Sequence, residues 1–252
     1  MDRIYRIRQG MGGRHAVERD GRLCWLEGDL FGDYRIGAEI DETGLRFLAP
    51  VQPSKIMAIG LNYKDHAAEM KKKLPEEPLV FMKPATAVIG PDEAVHIPGW
   101  AGRIDHEAEM AIVIGRRASR VVASAALDYV LGVTCLNDVT ARELQVKDVQ
   151  YTRAKGFDTF APIGPCIAVG LDSSNLAIEG WVNAEKRQSS NTNQLIFPVP
   201  ELVAFVTRFC TLEPGDIITT GTPSGVGALK PGDRVMVKIE GVGSLGNPCI
   251  AA

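Results

Sequence analysis

This 252-residue chain has no two cysteines close enough to read as a CxxC motif. Its five, Cys24, Cys135, Cys166, Cys210 and Cys249, are odd in number and widely scattered. That pattern argues against both a disulfide framework and a zinc site, and reads as small buried hydrophobes in a reducing, cytoplasmic setting. A net charge of −3 supplies no global basic field, which argues against a nucleic-acid partner. No apolar run approaches the roughly 20 residues a membrane span requires. The opening MDRIYRIRQG carries charge where a secretion signal would carry an apolar segment. Aromatic residues are sparse at 6%, and neither a solenoid-length repeat nor a low-complexity tract is visible. What the chain does have is glycine (26) and proline (15), which imply many turns and hence many short strands.

Read for its elements, the chain is a β-rich α+β protein. Residues 1–50 read as a small N-terminal β meander, with a strand at Arg3–Arg8 and a hairpin turn at Asp20-Gly21. The prolines of APVQP suggest a boundary near Pro50, leaving residues 51–252 as the main domain. KIMAIGL and Leu79–Met82 read as strands. Between them NYKDHAAEMKKKLPEEP is a helix that Asn62 or Asp65 could cap and that Pro75 and Pro78 stop. Further strands are expected at His106–Ile114, Tyr129–Leu136, Ile167–Val169, Ala177–Val182, Ile217–Thr220 and Arg234–Ile239. Pro214-Gly215-Asp216 and Pro231-Gly232-Asp233 place turns before the last two. Pro200–Phe209 is the clearest amphipathic helix.

Three constellations carry chemistry. In HEAEMAIVIG, strand periodicity puts Glu107 and Glu109 on one face and Ala108 and Met110 on the other. Two carboxylates ahead of a core strand repel each other, and a cation relieves that repulsion, although a solvated strand end has the same look. Asp138 closes the apolar run VLGVTCLND and adds a third carboxylate; an all-oxygen set of this kind suits magnesium, manganese or calcium. In DHAAEM, His66 and Glu69 lie three apart on a helix, within reach of each other. Such a pair is either a surface ion pair or a histidine made basic enough to take a proton near neutral pH. Arg142, Gln145 and Lys155 follow Asp138 and could clamp a carboxylate substrate, or be solvated. GTPSGVG offers backbone donors and the Thr222 hydroxyl, yet lacks the pattern of a phosphate loop.

Taken together, NYKDHAAEM, FMKP, HEAEMAIVIGR, DYVLGVTCLNDVTARELQ, RAKGFDTFAPIGP and GDIITTGTPSGVG resemble, in this order, the fumarylacetoacetate hydrolase family over roughly residues 54–248. The resemblance implies a mixed β-sandwich roll, usually a homodimer, that holds magnesium, with manganese or calcium as substitutes. It implies that Glu107, Glu109 and Asp138 are metal ligands and that His66 and Glu69 are a water-activating dyad on a lid. It also implies that Lys155 is an active-site lysine and that Arg142, Gln145 and Thr222 contact substrate. The reaction implied first is hydrolysis of a C–C bond in an acylpyruvate-like diketo-acid through a metal-stabilised enolate. Isomerisation of a 2-hydroxyhepta-2,4-diene-1,7-dioate and decarboxylation of oxaloacetate use the same centre, and one fold hosts all three. A non-catalytic, metal-stabilised binding protein is the alternative from another class.

Overall fold

In the computed structural model, which describes residues 1–252, strands dominate. The largest sheet is mixed and has twelve strands. Its main path runs Tyr34–Glu39, Arg22–Gly28, Gly12–Arg19, Asp2–Gln9, Ala161–Val169, Val130–Asn137, Ala108–Ile114, Ile217–Thr219, Ile56–Gly60 and Leu79–Lys83. Every neighbour on this path is antiparallel except Ile217–Thr219 beside Ile56–Gly60. A five-stranded sheet (Glu185–Asn191, Ala177–Val182, Arg234–Ile239, Gly243–Ala251, Val95–Ile97) packs against one face. A three-stranded sheet joins Thr140–Ala141, Ile104–His106 and Gly227–Leu229.

Local chemistry explains the turns. Asp20 and Gly21 both have positive φ (52° and 75°), as a two-residue hairpin turn requires. Gly215 and Gly232 take φ of 86° and 94° directly after prolines, as the third residue of a type II turn does. The meander is continuous with the main sheet, because Asp2, Arg3 and Ile4 pair with Val169, Ala168 and Ile167. Ile4, Val17 and Leu26 share one apolar cluster with Ile163 and Ile167.

The strand Ala108–Ile114 lies at the centre and is buried on both faces. Met110 and Ile112 point into a 27-residue cluster that the second sheet and the helix Val199–Thr207 complete. Ala111 and Val113 point into the opposite cluster. By the two-residue period Glu109 shares the side of Ala111 and Val113, so its carboxylate is held at the edge of the core. Two expectations are corrected. The helix after KIMAIGL covers only Lys64–Glu69, and its end is a left-handed turn at Lys71 (φ 52°), not Pro75. Asn62 does not cap it: the side chain instead donates to Phe197 O and Thr220 O and accepts from Phe197 N.

Candidate active site

The site is assembled where strands break. The ladder stops at Glu107, between Ile104–His106 and Ala108–Ile114. There the Glu107 amide donates to Asn137 Oδ1 (3.0 Å) and its carbonyl accepts from the Asp138 amide (2.9 Å). These two bonds dock the end of Val130–Asn137 against the break and bring Asp138 beside Glu107. Oxygens of Glu107, Glu109 and Asp138 lie within 4.8 Å of one another, and all three residues are buried.

Buried cations answer two of the three carboxylates. Lys155, the last residue of the short helix Thr152–Lys155, donates to Glu107 Oε2 (2.7 Å) and Asp138 Oδ2 (2.6 Å). Lys83 ends the edge strand Leu79–Lys83 and donates to Asp138 Oδ1 at 2.5 Å. Arg142 and Gln145 lie one turn apart on the helix Arg142–Asp148. The Arg142 guanidinium uses all three arms: to Glu107 Oε1 (2.6 Å), Asp105 Oδ2 (2.9 Å) and Gln145 Oε1 (2.8 Å). Burial alone would raise the Glu107 carboxyl, but Lys155 and Arg142 outweigh it and hold the group at about 2. Glu109 differs. It has no cationic partner, and its hydrogen bond comes from the Gly221 amide at 2.9 Å. Burial, with Asp138 and Glu107 adding to it, pushes its carboxyl well above the ordinary range. Gly221 is required there: its φ is 86°, and a Cβ would sit 2.9 Å from that of Asn62.

That donor set fits a hard divalent cation. The donor atoms are all oxygen, they converge from two strand ends, and one carboxylate, Glu109, is buried with like charges and bonded to no cation, Lys155 offsetting it only in part and from a distance.

His66 Nδ1 and Glu69 Oε2 are 2.9 Å apart, and Glu69 Oε1 also accepts from the Gly225 amide at 3.2 Å. The pair therefore ties the short helix to the GTPSGVG loop. Asp65 adds a second tie by accepting from the Ser190 hydroxyl. The Thr222 hydroxyl donates to Ala108 O (2.9 Å) and accepts from Gln188 Nε2 (2.8 Å), so its proton is already committed.

A cleft of about 340 Å³ brings together seven of the nine residues singled out from sequence: His66, Glu107, Glu109, Arg142, Gln145, Lys155 and Thr222. Glu69 stands behind His66, and Asp138 behind Glu107 and Lys155, without lining the cleft. Sequence reasoning gave no role to Lys83, Asp105 or Gln188. Lys83 left one trace, a lysine closing the apolar strand LVFMK just before a proline. Gln188, fully buried, accepts from the Ala108 amide and donates to Thr222 and Pro223 O; nothing in its local sequence marks it.

A carboxylate cluster ringed by buried cations and a histidine backed by a glutamate thus meet at one cleft. The chain belongs to the fumarylacetoacetate (FAA) hydrolase C-terminal family, whose model matches residues 55–250. An uncharacterized protein of Archaeoglobus fulgidus is 54% identical over 235 residues, covering 93% of this chain and 90% of that one. The mitochondrial oxaloacetate tautomerase fahd2 of Xenopus laevis is 40% identical over 224 residues, covering 84% of this chain and 70% of that protein. The crystal structure of 5-carboxymethyl-2-hydroxymuconate delta-isomerase from Mycobacterium smegmatis superposes with a TM-score of 0.92 at 41% identity, over 99% of this chain and all of that one. The fold is thus the β-rich α+β fold expected of the family, and no helix is long and apolar enough to cross a membrane.

Proposed function

We propose that the protein is a magnesium-dependent enzyme that interconverts enol and keto forms of a small 2-oxo-dicarboxylic acid of the oxaloacetate type. The observation that carries this reading is the meeting, at one small cleft, of Glu107 and Glu109, with Asp138 directly behind them and no cation bonded to Glu109, and of His66 paired with Glu69. The tautomerase and isomerase names borne by relatives at 40% and 41% identity support it. Both names describe proton relocation beside a carbonyl.

Glu107, Glu109 and Asp138 would hold the cation, with manganese or calcium as substitutes. When bound, it supplies positive charge against the enolate that forms as the 2-oxo-acid loses a proton. The residues of the chain do the rest. With Nδ1–H donating to Glu69, His66 keeps its lone pair on Nε2, where it can accept a proton from the enol hydroxyl or return one to C3. No co-reactant is needed, since the proton lost at oxygen is matched by one gained at carbon. Gly225 fixes Glu69, and Glu69 in turn fixes the ring orientation. Lys155 and Arg142, already bonded to Glu107, set the position of that carboxylate. They also lend the cleft the positive potential that an anionic substrate requires. Lys83, Lys155, Arg142 and Arg103 equal in number the carboxylates Glu107, Glu109, Asp138 and Asp105, although none of the four bonds to Glu109. A bound dication leaves the centre near +2, which suits a dianion.

Hydrolytic cleavage of an acylpyruvate-like diketo-acid is the second reading. The intact His66–Glu69 pair favours it, because a histidine that takes a proton from an enol can take one from water. Three assays run in parallel separate the readings: the absorbance of enol-oxaloacetate, cleavage of acetylpyruvate, and loss of oxaloacetate to pyruvate, each with Mg²⁺. Accelerated enol decay that falls about 10²- to 10⁴-fold in His66→Gln supports the proposal. Acetylpyruvate cleavage without enol conversion replaces it with the hydrolase. Rapid oxaloacetate loss alone makes the protein a decarboxylase.

A further inference from the structure

Four basic residues line the cleft: His66, Lys72, Arg142 and Lys155. Three are engaged. His66 faces Glu69, Arg142 spends its three arms on Asp105, Glu107 and Gln145, and Lys155 bridges Glu107 and Asp138. Lys72 alone has no carboxylate partner, and it is exposed.

Its placement follows from how the short helix ends. The Lys71 amide bonds to Ala68 O (3.1 Å) and the Lys72 amide to Ala67 O (3.0 Å). Lys71 between them is left-handed, with φ 52°. This pair of closing bonds around a left-handed residue is the Schellman ending, in which glycine is the favoured occupant. A lysine there carries strain that glycine would not. The reversal turns Lys72 onto the cleft wall beside Met70, while its neighbours Lys71 and Lys73 do not line the cleft. A run of three lysines thus contributes one cation to the site, on a wall otherwise apolar at Met70, Leu79 and Val146.

We propose that Lys72 receives the second carboxylate of a dicarboxylate substrate and is the residue that selects dicarboxylates over monocarboxylates. The inference rests on the reading that the cleft takes a small 2-oxo-acid. It concerns selectivity and needs no turnover to be tested.

The probes are 2-oxoglutarate and 2-oxopentanoate, which have the same chain length and differ only in a carboxylate against a methyl. Their binding to the Mg²⁺-loaded protein is measured by calorimetry. The wild type is expected to prefer 2-oxoglutarate. Lys72→Gln weakens that ligand about five- to tenfold, the scale of one partly screened ion pair, and shifts 2-oxopentanoate by less than about twofold. Lys72→Arg keeps the preference. Lys73→Gln removes the same charge one residue along and leaves the ratio as it was. Equal wild-type affinity for the two probes, no binding of either, or matching effects of Lys72→Gln and Lys73→Gln would overturn the proposal. A preserved, Lys72-dependent preference in a protein that converts no enol counts against the enolising reading and leaves the selectivity assignment standing.

Discussion

Replacing Glu109 with glutamine has opposite effects on the metal-free and metal-loaded protein. The glutamine side chain is nearly isosteric and keeps an oxygen for the Gly221 amide, so the change is one of charge. At the 4.8 Å spread of the triad, two like charges in an effective dielectric of about 20 repel by roughly 3.5 kcal/mol. Lys155 and Lys83 screen part of this through Asp138 and Glu107. A gain of about 1–3 kcal/mol is therefore expected for the metal-free variant at pH 8, or about 2–10 °C in melting temperature for a chain of this size. The pH dependence has a definite sign. The folded-state Glu109 carboxyl is raised well above 4.5, so above that pH the unfolded chain releases a proton the fold retains, and wild-type stability falls as pH rises. In the variant that loss disappears, and its advantage shrinks toward pH 4. Magnesium at about a hundred times its dissociation constant adds about 2.7 kcal/mol to the wild type and little to the variant. Thermal denaturation at pH 5 and pH 8, with chelator or with Mg²⁺, reads all four corners. A variant less stable than wild type in chelator at pH 8, or equal magnesium stabilisation of both proteins, refutes the argument.

Two further outcomes bear on the scaffold around the cleft. Asn62→Ala removes three hydrogen bonds of a buried side chain that join the loop after Ile56–Gly60 to Phe197 and Thr220, and costs about 2–4 kcal/mol in urea denaturation; a loss under about 0.5 kcal/mol contradicts that role. Lys71→Gly relieves the left-handed φ of 52° and raises stability by about 0.5 kcal/mol, whereas a clear loss would show that the lysine side chain itself holds the turn.

Features set by neighbours in sequence were legible before the fold was known. The Asp20-Gly21 hairpin and the two Pro-Gly turns follow from φ preferences alone. The His66–Glu69 contact follows from helix spacing. Glu107 and Glu109 do come together, but the strand expected over His106–Ile114 is interrupted at Glu107, so strand periodicity alone does not account for it. Features set by distant partners were not. Lys83 reaches Asp138 across 55 residues and Gln188 reaches the Ala108 amide across 80, so neither role has a local signal. The helix end was misplaced because prolines are conspicuous, whereas a lysine in a left-handed turn is not. Asp138 shows the same limit. As a strand-end carboxylate it invites replacement by alanine, but it is the shared counter-ion of Lys83 and Lys155, and truncation would leave two buried ammonium groups facing a void. Glu109, bonded to no cation, is the carboxylate of the three that can be changed without that penalty.

Glu107, Glu109 and Asp138 are expected to bind one hard divalent cation. Calorimetric titration of chelator-treated protein with Mg²⁺ and Mn²⁺ tests it directly, with wild type and Glu109→Gln side by side. The wild type is expected to take up one ion per chain and the variant to lose about tenfold or more in affinity. No saturable binding by the wild type, or undiminished affinity in Glu109→Gln, would contradict it.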